Sequence, residues 1–75
     1  MAENRLDAKG LQCPLPVLRA RKALKAVAAG EKLTVEATDP SAPKDFAAFC
    51  DATGNRLLSS TEEGGVYRFV IERSA

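Results

Sequence analysis

The sequence predicts an α/β (α+β) fold: a two-layer sandwich of order βαβαββ, with two helices on one face of a four-stranded mixed sheet. Three observations carry the prediction. Short runs of alternating apolar and polar residues occur at 5–9, 31–38 and 66–72, the period of half-buried strands. Between them, apolar residues recur at helical spacing from Pro14 and again after Pro43. Glu62-Glu63-Gly64-Gly65 then separates the last two strands as a hairpin turn.

Each element follows from its own residues. Leu6 and Ala8 lie on one side of the first strand, and Arg5, Asp7 and Lys9 on the other. Gly10 ends it, and Leu11-Gln12 lead into Cys13. A first helix is predicted over 14–29, with Val17, Ala20, Leu24, Val27 and Ala28 as its core stripe and Gly30 just past its end. Residues 31–38 form a second strand with Leu33, Val35 and Ala37 inward. Strand, helix and strand joined by short links imply a right-handed parallel crossover. Thr38-Asp39-Pro40-Ser41-Ala42-Pro43 is a turn that opens a second helix, capped by Asp39 or by Ser41 and stopped after Thr53 by Gly54. Phe46, Phe49 and Cys50 share the face of that helix that packs on the sheet, where Cys50 reads as a small buried hydrophobe. Residues 56–61 make a weaker strand, with Leu57 and Leu58 facing opposite ways. Residues 66–72 make the strongest strand: Tyr67, Phe69 and Ile71 take one face, and Val66, Arg68, Val70 and Glu72 the other.

Composition narrows the function. Seventy-five residues read as one domain, 1–75 with its core over 5–73, which buries only a modest apolar interior. Hydrophobic residues at 45% and charged residues at 28% place the chain among globular rather than disordered sequences. A net charge of +1 gives no overall argument for nucleic acid. The two cysteines are far apart, in neither a zinc spacing nor a Cys-x-x-Cys pair, and there is no histidine. A Cys–His catalytic pair and a histidine metal site are therefore both excluded, and no cofactor or metal is expected. No run approaches membrane-spanning length, and residues 1–5 hold no apolar leader. The expected compartment is the cytoplasm, where an exposed thiol stays reduced.

Chemistry concentrates at Cys13-Pro14-Leu15-Pro16. Proline suits a first helical position, and the residue before it is pushed toward the extended geometry of an N-cap. Pro14 thus makes Cys13 the expected N-cap, with its sulfur at the positive end of the helix dipole, which favours the thiolate. Pro16 removes a further donor from the first turn and stiffens the segment beneath the sulfur. Arg19, Arg21, Lys22 and Lys25 cover the rest of the helix surface with no acid between them. They read either as a solvated face or as a docking face for an acidic partner or a phosphate backbone.

Leu6-Asp7, Gly10, Cys13-Pro14-Leu15-Pro16 and Arg21-Lys22 together resemble the TusA, or SirA-like, family of sulfur-carrier proteins, whose signature is Cys-Pro-x-Pro. The resemblance runs on through Gly30-Glu31, Thr38-Asp39-Pro40, Lys44-Asp45, Phe49-Cys50, Gly54 and Tyr67-Arg68-Phe69. It implies the same two-layer sandwich. It also implies a sulfurtransferase that accepts sulfane sulfur as a persulfide on Cys13 and relays it to an acceptor protein. The donor would be a cysteine desulfurase or another sulfane-sulfur protein. The pathway would be tRNA thiolation, with tRNA reached through partners, or another sulfur route. Arg21 and Asp39 match positions linked in the family to partner contacts. Leu15 departs from the tRNA-relay branch, where an acidic residue stands between the prolines. It reads either as an apolar tip beside the sulfur or as core packing.

Two other classes compete with a persulfide carrier. One is a regulatory or interaction module that keeps the fold with an unreactive Cys13. The other is a nucleic-acid binder using the basic helix, against which stands the lack of any Gly- or Arg-rich tract.

Overall fold

The computed structural model describes residues 4–74. Most of the expected residues without an apolar leader, 1–3, fall outside them. The elements are β1 (Asn4–Ala8), α1 (Leu15–Leu24), β2 (Lys32–Ala37), α2 (Ala42–Thr53), β3 (Arg56–Glu63) and β4 (Val66–Glu72). The sheet order is β1-β2-β4-β3, with β1 parallel to β2 and the other pairs antiparallel. The predicted α+β sandwich with a mixed sheet is the fold observed.

Alternation decides which face of the sheet the helices cover. Leu33, Val35 and Ala37 of β2 pair across with Ile71, Phe69 and Tyr67 of β4, and Leu6 and Ala8 of β1 extend the same apolar face. On it lie Ala20 and Leu24 of α1 and Ala42, Phe46 and Cys50 of α2, all buried. Phe46 stacks on Phe69 with ring centroids 4.5 Å apart, and Phe49 meets Phe46 edge-on at 6.4 Å. Burying two such rings supplies much of the core of so short a chain. The opposite face is open and polar, crossed by an Arg68–Glu36 pair at 2.9 Å and a looser Lys9–Glu36 pair at 3.8 Å.

Several boundaries move. The first helix ends at Leu24, not Ala29. Beyond it, Lys25, Ala26 and Val27 donate to the carbonyls of Lys22, Ala23 and Leu24, tightening the chain into i→i+3 turns. The Arg73 guanidinium takes the carbonyls of Leu24 at 2.9 Å, Lys25 and Val27. A cation from the end of β4 thereby replaces the helical donors these carbonyls would otherwise need. Val27 stays buried, but Ala28 is exposed and leaves the core stripe. Gly30 does not stop a helix; it sits at φ 85° in the next turn, where its N–H donates to Arg73 O at 2.7 Å. Strands β1 and β2 start or stop a residue or so from their expected bounds. β3 runs on to Glu63, leaving Gly64-Gly65 as the whole turn, both at positive φ as a tight hairpin requires. Leu57 pairs with Ile71 and Ser59 with Val70, so Leu58 is an extra, exposed residue between them. The second helix begins one residue after Ser41 and ends at Gly54, left-handed at φ 79°.

Candidate functional site

Because β1 and β2 are adjacent and parallel, the loops that leave their C-terminal ends lie side by side. The first loop turns at Gly10, φ 84°, closed by Leu11 N–H donating to Ala8 O at 3.2 Å. Two bonds then tie it to the second loop. Gly10 N–H donates to Thr38 Oγ1 at 3.0 Å, and Cys13 N–H donates to Asp39 Oδ2. The other carboxylate oxygen of Asp39, Oδ1, accepts from Ser41 N–H at 3.0 Å, and the Asp39 carbonyl accepts from Ala42 N–H at 2.9 Å. One aspartate therefore orients the cysteine loop and the entry of α2 together. The result is an open cleft of about 420 Å³ lined by residues 10–13 and 38–41.

Cys13 sits on the rim of this cleft with its side chain exposed, while Cys50 lies in the core at 4% exposure. Cys13 is not the helix cap. Leu15 N–H donates to Gln12 O at 2.8 Å, and Leu18 N–H donates to Pro14 O at 3.1 Å, so the Pro14 carbonyl starts the helical ladder. Pro14 occupies the cap position, and its peptide bond to Cys13 is cis. Pro16 falls in the first turn of α1 and is buried. Neither Asp39 nor Ser41 caps α2 through its side chain: Ser41 holds the cap position without a side-chain bond, and Asp39 is spent on Ser41 N–H and Cys13 N–H.

The electrostatics of Cys13 reverse the expectation of a favoured thiolate. Its pKa lies above the ordinary thiol value, first because its side chain hydrogen-bonds to Asp45, then through partial desolvation and the negative charges of Asp45 and Asp39. Placement at a helix start makes the helix dipole the expected controlling influence. Two carboxylates brought up by the second loop and α2 outweigh it, since a thiolate beside like charge is disfavoured. None of the α1 cations figures among the groups acting on the sulfur.

The remaining expected site residues separate into two sets. Leu15 is 44% exposed and Leu18 51%, so Leu15 is an apolar tip on the surface rather than core packing. Arg19, Arg21, Lys22 and Lys25 are all exposed along or just past α1, and none forms an ion pair among the described residues. Helical spacing puts Leu15, Leu18, Arg19 and Lys22 on one outward face. Arg21 and Lys25 flank a shallow groove of about 220 Å³ whose far wall is Phe49, Thr53 and Arg73. Asp39 lines the cleft together with Cys13, and none of these cations does. Asp45 and Thr38 belong to segments that carry the family resemblance, but the sequence assigns neither of them to the site. An acid in the first turn of a helix reads locally as a partner for the dipole, and nothing nearby points it at a cysteine 32 positions earlier.

A two-layer α/β sandwich presenting one exposed cysteine where two parallel strands hand over to their helices defines a class of small thiol proteins. The chain belongs to the family described as Sulfurtransferase TusA, whose model matches residues 4–73. It is 54% identical over 72 residues to the sulfur carrier protein TusA of Allochromatium vinosum, covering 96% of this chain and 95% of that one. It is 46% identical over 70 residues to the sulfur carrier protein TusA of Pseudomonas entomophila, covering 93% and 88%. A solved SirA-like protein from Desulfitobacterium hafniense superposes with a TM-score of 0.81 at 27% identity, covering 95% and 97%. A sulfur-carrier role, with a donor and an acceptor of sulfur in general, comes with this family. No helix among the described residues is long and apolar enough to cross a membrane.

Proposed function

We propose that this chain carries sulfane sulfur as a persulfide on Cys13 and hands it to an acceptor protein. The observation that supports the reading best is the contrast between its thiols: Cys13 is exposed on the rim of an open cleft, and Cys50 is shut in the core. Transfer of this kind is exchange at sulfur, governed by access, thiolate fraction and leaving group. Cys13 Sγ forms a bond to the outer sulfur of a donor persulfide. The donor's S–S bond breaks, its electron pair goes to the donor cysteine sulfur, and the proton lost by Cys13 ends there. A thiol and a persulfide become a persulfide and a thiol, with no net oxidation. Repetition with an acceptor thiol unloads the carrier. A cysteine desulfurase fits the donor role. Where the sulfur is destined for a tRNA base, partner proteins take it there, and the cytoplasm supplies the reducing setting such a thiol needs.

The surroundings suit docking by proteins. The apolar side chains of Leu15 and Leu18 are exposed on α1, as are the cations Arg19, Arg21, Lys22 and Lys25 along or just past it, and Asp39 lines the cleft with Cys13. The test is mass spectrometry after incubation with a persulfide-bearing desulfurase and without reductant. The expected result is one added sulfur on the Cys13 peptide, lost in Cys13→Ser, which should keep its fold. No added sulfur, or sulfur on Cys50, would overturn the reading and favour a non-transferring interaction module.

A further inference from the structure

The Cys13-Pro14-Leu15-Pro16 segment is short of donors. Its two prolines have no N–H, so only Cys13 and Leu15 can donate from the backbone there. Leu15 N–H is used locally, on Gln12 O at 2.8 Å. Cys13 N–H reaches outside its own loop and donates to Asp39 Oδ2. This is the only backbone hydrogen bond that Cys13 makes among the described residues. Asp39 is itself held at the start of α2: its Oδ1 accepts from Ser41 N–H at 3.0 Å, and its carbonyl from Ala42 N–H at 2.9 Å. It is half-buried and lines the cleft together with Cys13, and each carboxylate oxygen takes an N–H of its own chain. A side chain so engaged is poorly disposed to reach a partner protein. Its charge also works against the Cys13 thiolate. Neither docking nor activation of the sulfur accounts for a carboxylate here; the grip on the cysteine loop does.

We infer that Asp39 is a positioning residue for sulfur exchange, holding Cys13 at a fixed place on the cleft rim through its backbone N–H, and not a contact for the donor or acceptor protein. The role in transfer rests on the sulfur-carrier reading. Attack on a persulfide requires Sγ to meet the outer sulfur in line with the breaking S–S bond. A cysteine loop that wanders spends less of its time in that geometry. The clasp closes on the main chain and leaves the side chain exposed at the rim. Because the N–H makes the bond and the sulfur does not, it serves the empty and the persulfide-bearing carrier alike.

Two readouts test it. The first is hydrogen exchange of the Cys13 amide, followed by NMR in wild type, Asp39→Ala and Asp39→Ser. Serine can still close the turn on Ser41 N–H, but it has no second oxygen for Cys13 N–H. Both variants should exchange the Cys13 amide several-fold faster than wild type, with the Cys50 amide inside α2 unchanged as the check on the fold. The second is the rate of sulfur loading from a persulfide-bearing desulfurase and from inorganic polysulfide. Both variants should load several-fold more slowly from either donor, by the same factor. Loss of the charge alone would speed loading, and loss of a partner contact would slow the protein donor only. An unchanged Cys13 amide, unchanged or faster loading, or slowing confined to the desulfurase each overturns the proposal. So does unfolding of both variants, which would make Asp39 a residue of the fold alone. Amide exchange needs no sulfur. A wild type that takes up no sulfur would therefore overturn the carrier reading, while a released amide would still show the clasp.

Discussion

The two cysteines of this chain meet opposite surroundings, and their reactivity should separate accordingly. Burial raises the pKa of Cys50, and neighbouring carboxylates raise that of Cys13. Access then decides between them. Under alkylation of the folded protein, Cys13 should label first. It should do so slowly at neutral pH, because a raised pKa keeps the thiol protonated there, and faster as the pH climbs through and beyond the ordinary thiol range. Labelling of Cys50 first, without denaturation, would show that the core is open. Cys50→Ala should lower stability by about 1 kcal/mol, the cost of a small vacancy in a packed site, and leave sulfur transfer at the wild-type rate. A normal melting temperature with transfer lost would instead make Cys50 a second sulfur-handling residue.

At the scale of elements, α1 divides its labour between core and surface. Ala20 and Leu24 are buried, while Arg19, Arg21 and Lys22 face solvent and Lys25 follows at its end. Exposed charges of this kind contribute less than about 1 kcal/mol each to stability, but they steer encounters in a salt-dependent way. Arg21→Glu with Lys25→Glu should therefore slow sulfur uptake from a protein donor at low salt and spare uptake from a small inorganic donor. Equal slowing with both donors would mean that Cys13 itself was disturbed. Element order and the inward faces were legible because alternation and helical spacing are local. The end of α1 was not. It is set by the Arg73 guanidinium, which arrives from 46 to 49 positions away along the chain. The site divides in the same way. Cys13 and its motif announced themselves, whereas the carboxylates that govern its proton become neighbours only when β1 and β2 lie parallel.

For the whole molecule, Arg73 acts as a strap between the two layers. Its backbone pairs with Gly30 and Glu31, and its side chain reaches the carbonyls that end α1. Hydrogen bonds from a charged donor contribute roughly 1.5–3 kcal/mol when removal strands their partners. Arg73→Ala should lower unfolding free energy by about that much in denaturant titration. Arg56→Ala is the control, since its contact with Glu72 at 3.9 Å is loose and exposed. Similar losses in both variants would mean that the strap is ordinary surface.

The sheet register also gives the molecule two poles. Ala8, Ala37 and Tyr67 are aligned at the end from which the Cys13 loop springs; Asn4, Leu33 and Ile71 are aligned at the other. The described chain thus enters at Asn4 and, after Glu72, departs on the same side, away from the sulfur. A tether fixed to either end leaves the thiol facing outward, as cargo at the tip of an arm. Carrier anchored to a resin through either terminus should accordingly react with iodoacetamide at Cys13 as fast as free carrier does, whichever end is held.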